Sequence, residues 1–237
     1  AVEGAAVALA GRLRSATTEV QGQRLAADAA IGRDVQALDR GLARLHELGL
    51  EIAALGAAGR STLDLEETRN AVLASLSEIV PLKAHRRPDG QLLVYTEGGT
   101  VLLDRLPARL EFTPVPGLDA GMTLAGGQLS GLTVNGRAVP TGPEGPLAGG
   151  RLAANFALRD TEGPAVQAAL DALAQSLIAR VQDPATDPTA LPGAPGLFTD
   201  AGLPMGPVPA PGLAGRIALN PLVQPDAGGA LARLRDG

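Results

Sequence analysis

Few residues in this sequence have the type and spacing to do chemistry. Acidic side chains gather at Asp64, Glu66 and Glu67, an Arg-Asp pair stands at 159 and 160, and the two histidines, His46 and His85, are far apart. Paired carboxylates can act as acid and base. The same residues are equally at home in the first turn of a helix, where the helix dipole favours negative charge, and that is the expectation here. Arg159 and Asp160 are adjacent, and adjacent residues do not face each other on an α-helix, so each is expected to pair with a different element. Neither histidine belongs to an H-E-x-x-H or comparable ligand spacing, which argues against zinc.

The remaining reactive types give no more. The absence of cysteine excludes disulfides, thiolate metal sites and cysteine nucleophiles. The stretch "AGGQLSG" lacks both the Gly-Lys-Ser/Thr of a phosphate loop and the G-x-G-x-x-G spacing. No G-x-S-x-G occurs, and no serine has a nearby histidine with an acidic partner in a recognisable order. No catalytic, cofactor-binding or metal-binding residue is assigned, and no cofactor is expected. A net charge of −5 without a basic block leaves no footprint for nucleic acid or anionic lipid, and no apolar run approaches the roughly 20 residues of a membrane span. Aromatics at 2% leave little to line a ligand pocket.

The elements that carry these residues fall into helical and β stretches. From Val2 to about Leu55 there is no proline, and Ile31, Val35, Leu38, Leu42, Leu45, Leu48, Ile52 and Leu55 step by three and four. That is a narrow, heptad-like seam. It can serve one long helix, or two if the chain breaks at Gly22, Gly32, Gly41 or Gly49, and it can face the chain's own core or another subunit. Gly56 and Gly59 suit a helix end. Asp64, with Glu67 three residues on, suits a capped start to a second helix running to Pro81, antiparallel to the first.

Past residue 84 the apolar period changes to two. Leu93 and Tyr95 alternate with Leu92 and Val94, Gly98-Gly99 and Asn135-Gly136 mark hairpin turns, and Leu110 and Phe112 alternate between them. At Gly149-Gly150 helical spacing resumes through Leu152, Phe156, Leu170, Leu173 and Val181, with Gly163-Pro164 as a kink or a break. The reading is α+β: an elongated antiparallel helical rod, made of a long helix hairpin plus a returning helix, with an inserted small antiparallel β domain. Its divisions are 1–84 (first part of the rod), 85–148 (β domain), 149–183 (returning helix) and 184–237 (a Pro/Gly-rich loop and short strand). The closing "GGALARLRDG" reads as a helical start or an extended end.

Three segments together resemble one family. "LDLEETRNAVLASLSEIV" is similar to the Leu-x-Asp-x-Arg-Asp-x-x-Leu-x-x-Leu-Ser helix of flagellar hook-associated protein 1, through Leu65, Arg69, Leu73, Leu76 and Ser77. Glu67 and Asn70 stand where aspartates are usual. "DGQLLVYTEGGTVLLD" resembles the strand pair that follows in the family, and residues 149–177 resemble its Gly-Gly-x-Leu, Arg-Asp, Pro and Leu-Asp-x-Leu-Ala segment through Gly150, Leu152, Arg159, Asp160, Pro164, Leu170, Asp171, Leu173 and Ala174.

The resemblance implies a structural, non-enzymatic subunit at the hook-filament junction of the bacterial flagellum, exported by the type III apparatus without a cleaved signal and located outside the cell. It implies as partners other copies of itself, the hook protein, the next hook-associated protein and an export chaperone. With no initiator methionine, the chain reads as the middle of such a protein without its terminal assembly segments, and as monomeric in that form. The competing classes are a secreted coiled-coil adhesin or binding module and another flagellin-like filament or cap protein. The candidate subunit- or rod-packing residues are Ile31, Val35, Leu38, Leu42, Leu45, Ile52, Arg69, Arg159, Asp160, Leu170 and Leu173.

Overall fold

The computed structural model describes residues 2–183, 185, 194–224 and 228–230. Its first element, α1, is one unbroken helix, Val2–Ala57, so the glycines at 22, 32, 41 and 49 do not break it. At 1.5 Å per residue its 56 residues extend about 84 Å. The helix ends in a Schellman motif: Gly59 takes φ +68°, Arg60 N–H reaches the Leu55 carbonyl at 3.0 Å, and Gly59 N–H reaches Gly56 at 3.0 Å. Helix α2, Leu63–Ile79, follows after this short turn. Its start differs from the expected Asp64–Glu67 box. Thr62 occupies the cap position without a side-chain cap bond, and its hydroxyl lies 3.0 Å from Glu66 Oε1, leaving Asp64 inside the first turn.

The chain divides into two compact units, and both α1 and the later helical return contribute to each. The larger unit holds residues 24–117 and 122–161. It contains the later part of α1, α2, two three-stranded antiparallel sheets and helix α3, Gly150–Ala157. One sheet is β1 (Leu82–Arg86), β2 (Leu92–Thr96) and β3 (Val101–Leu103); the other is β4 (Leu110–Glu111), β5 (Leu132–Val134) and β6 (Arg137–Val139). The expected β segment 85–148 is therefore no separate domain: it begins three residues early and shares a unit with helices on either side. The reason is its small core. Leu92, Val94, Leu102, Leu103, Leu110, Leu132 and Val134 are buried in the same cluster as Ile31, Val35, Leu38, Leu42, Leu45, Leu76 and Phe156, and strands of two to five residues bury little by themselves.

Two turns in this unit depend on unusual backbone. The β5–β6 hairpin has Asn135 at φ +52° and Gly136 at +74°, the pair of positive values that a tight two-residue hairpin needs. At the start of α3, Gly150 sits at φ +67° against the end of α2, and a Cβ there would strike the Ile79 carbonyl. Only glycine lets the returning chain come this close.

The smaller unit holds residues 1–23, 118–121 and 162–237. Here the first turns of α1 pack Ala6, Ala10 and Leu13 with Ala174 and Ile178 of α4 (Gly163–Gln182), and with Phe198, Leu213, Ala214, Ile217 and Leu219. The region expected to be a loop with one strand contains a hairpin, β7 (Phe198–Asp200) with β8 (Ile217–Leu219), and a one-turn helix, α5 (Leu213–Arg216). The expected closing element lies mostly outside the described residues. Among those residues no helix is long and apolar enough to cross a membrane.

Candidate functional site

The seam of α1 does not stop at Ile31. Counting back by three and four from Ile31 reaches Asp28 and Arg24, and both are buried, at 0% and 1% exposure. Two charged residues thus occupy core positions of the helix. Their partners come from the other side of the β excursion, where the chain between α3 and α4 takes up a π-helical turn, Leu158–Glu162. Such turns often mark a functional position in a helix. It begins where Leu158 N–H is shared between the Ala154 and Asn155 carbonyls, and it ends at Gly163-Pro164, where Pro164 opens α4 without a missing bond.

Arg159, on this turn, is fully buried. Its Nη1 donates to Asp28 Oδ1 at 2.7 Å, while Nε and Nη2 form a fork onto Asp160 Oδ1 and Oδ2, each at 2.8 Å. Nη2 also donates to the Ser130 carbonyl at 2.9 Å. The Arg159 carbonyl in turn accepts from Arg24 Nε at 2.9 Å, and Arg24 Nη2 donates to the Met122 carbonyl at 2.8 Å. Val115 N–H satisfies Asp28 Oδ2 at 2.8 Å. Two rings flank the guanidinium: its central carbon lies 5.4 Å from the Phe112 centroid and 5.1 Å from that of Phe156, and the rings meet edge to face.

Two guanidinium groups and two carboxylates thus share one buried cluster. Burial alone would lower the Arg159 pKa, but hydrogen bonds and charge from Asp160 and Asp28 outweigh it and raise the pKa above its ordinary value. Arg159 is therefore a fixed cation. The cluster ties the later part of α1, the Val115 and Ser130 segments and the π turn to one another. The expectation that each residue pairs with a different element holds for Arg159, through Asp28 of α1, and is corrected for Asp160: the long arginine stem bends its guanidinium onto the adjacent carboxylate where the backbone has left α-helical geometry.

A second polar knot anchors the smaller unit. Asp171 of α4 accepts from Gly212 N–H at 2.7 Å and Ala214 N–H at 2.8 Å, and Gln167 donates to it at 2.8 Å. The buried Gln167 accepts from Gln21 at 2.8 Å and lies 3.4 Å from the Thr17 hydroxyl.

The other candidate residues fall as follows. Ile31, Val35, Leu38, Leu42, Leu45 and Ile52 are buried, and so is Arg69 on α2. Leu170 packs at the edge of the smaller unit's core. Leu173 is 49% exposed, because the inward face of α4 is the one carrying Gln167, Ala174 and Ile178. His85 stacks on Tyr95 and hydrogen-bonds its hydroxyl at 2.8 Å on the surface of the first sheet. Among the described residues no group of three or more His, Asp or Glu is arranged to hold a metal. Sequence reasoning missed Arg24 and Asp28; the available signal was their place in the heptad-like register.

Comparisons with known proteins agree with this layout. A comparison with curated proteins finds no match. Among solved structures, the chain is similar to the flagellar hook junction protein FlgK from Burkholderia pseudomallei, with a TM-score of 0.62 and 19% identity. The similarity covers 83% of this chain and 35% of that one, so the chain spans about a third of that protein's length. The family described as the flagellar hook-associated protein FlgK helical domain matches residues 1–197. With most of the described helices and both sheets of the larger unit inside that match, the chain belongs to the flagellar hook-associated protein FlgK helical-domain family.

Proposed function

We propose that the protein containing this chain is a structural subunit of the junction between hook and filament in the bacterial flagellum, a mechanical adaptor that carries out no catalysis. The observation that carries this reading is the family match over residues 1–197. The interior chemistry supports it: the charged groups around Arg159 are spent on one another and on backbone carbonyls, an arrangement that fixes shape. The protein then acts outside the cell after export without a cleaved signal. Its partners are other copies of itself, the hook protein on one side and the next hook-associated protein on the other, with a chaperone before export.

The test is location and loss. Antibody raised against this chain, imaged on isolated flagella by electron microscopy, should label a narrow band where hook meets filament. Deleting the gene should leave hooks without filaments. Label spread along the filament, or normal filaments in the deletion strain, would overturn the proposal.

A further inference from the structure

Helix α4 has two faces that differ in what they meet. The inward one carries Gln167, Ala174 and Ile178, all buried in the smaller unit, and Asp171, whose carboxylate accepts from Gly212 and Ala214. The other carries a seam of its own: Glu162, Val166, Ala169, Leu173, Ser176 and Arg180 step by four and three and lie within about 40° of one line along the helix. Glu162 belongs to this line because its backbone is already helical, at φ −71° and ψ −48°.

The seam is left in water. Val166 and Leu173 are 51% and 49% exposed, and the other four residues are exposed as well. From Gly163 to Ala179 the single charged residue is Asp171, on the inward side, so the outer face of the helix is uncharged between its ends. Contiguous apolar surface of this kind marks an interaction site. Among the described residues neither the Glu162 nor the Arg180 side chain has an ion-pair or hydrogen-bond partner.

The order of residues along the seam indicates what fits it. Turned end for end about Asp171, the seam maps onto itself: Glu162 falls on Arg180, Val166 on Ser176 and Ala169 on Leu173. Two copies laid antiparallel therefore oppose acid to base at both ends and a larger side chain to a smaller one at each step between. A parallel pair would set Glu162 against Glu162, Arg180 against Arg180 and Leu173 against Leu173.

We propose that the outer face of α4 is a self-association surface, on which a second copy of this chain docks its own α4 in antiparallel register. The contact is two-fold, so each opposed pair occurs twice. The seam is about 27 Å long. One helix face of that length buries less than the roughly 800 Å² per partner of a stable complex, so the pairing is weak, with a Kd of about 0.1–1 mM, and the chain is a monomer at low micromolar concentration. The surface is a property of this chain's own residues and does not rest on the junction reading.

Sedimentation equilibrium over about 0.02–1 mM tests this on the parent, on Glu162→Arg, on Arg180→Glu and on an equimolar mixture of the two variants. Both side chains are exposed, so circular dichroism should show melting temperatures close to the parent's. The average mass of the parent should rise toward that of a dimer with concentration. Each variant alone places like charges at both ends of the pair and should associate about fivefold more weakly, or less. The mixture should regain the parent's association, because each mixed pair again opposes acid to base at both ends. A parent that stays monomeric to about 1 mM would overturn the proposal and leave the face to a different partner. Association that the single variants do not weaken, or that the mixture does not restore, would overturn it too, since the contact would then lie elsewhere or run parallel.

Discussion

Replacing Arg159 with alanine should be among the most damaging single changes in the larger unit. The substitution removes the ion pair to Asp28, the fork onto Asp160, the bond to the Ser130 carbonyl and the contact with two rings. Asp160 keeps some access to water, at 17% side-chain exposure, but Asp28 has none. Breaking a buried pair from one side costs about 3–5 kcal/mol because of the charge left behind. The expected loss is therefore about 3–5 kcal/mol. Urea unfolding can follow this through Tyr95, the single tyrosine of a chain without tryptophan, which lies in β2 of the same unit. Adding Asp28→Asn to the variant should recover part of the loss at pH 7. A deficit below about 1 kcal/mol, or no recovery on adding Asp28→Asn, would refute the account of Arg159 as the cation that compensates Asp28.

Other substitutions test the remaining structure. Gly150→Ala should cost more than about 2 kcal/mol, since it strains a positive φ and sets a methyl against the Ile79 carbonyl, and the same unfolding signal reports it. Gly22→Ala should instead stabilise by about 0.5–1 kcal/mol, because the site lies inside α1 with open space around it; a lowered melting temperature by circular dichroism would count against an unbroken helix there. Asp171→Ala should cost about 2 kcal/mol by leaving the Gly212 and Ala214 N–H groups without their acceptor, and those two amides should then exchange faster with deuterium.

How far these features could be read in advance depended on whether their cause was local. The Ile31–Ile52 seam was visible because apolar residues repeat at helical spacing, and the Asn135-Gly136 hairpin because only a few residue types accept its backbone. Asp28 and Arg24 stood in the same seam, yet polar residues on a long helix read as solvent-facing unless their partners are known. Those partners are 131 and 135 residues away, beyond the reach of any local pattern. The π turn was hidden as well: the residue it carries, Arg159, bonds a partner on α1 that no local pattern reveals. Of the β7–β8 pair only the second strand was read; Phe198–Asp200, three residues within a Pro/Gly-rich stretch, is too short to show a period, and so the pairing went unread. Asp171 was recognised only as part of a family pattern, since its role as acceptor for Gly212 and Ala214 depends on a chain segment some 40 residues later.

The distance along the chain between the members of the Arg159 cluster also sets when the protein can fold. Asp28 is made early, and its partner Arg159 comes only after the whole β excursion and α3, so no early portion of the larger unit contains its own closure. Contacts of this range slow folding, because the loop between them must be closed before any of them contributes.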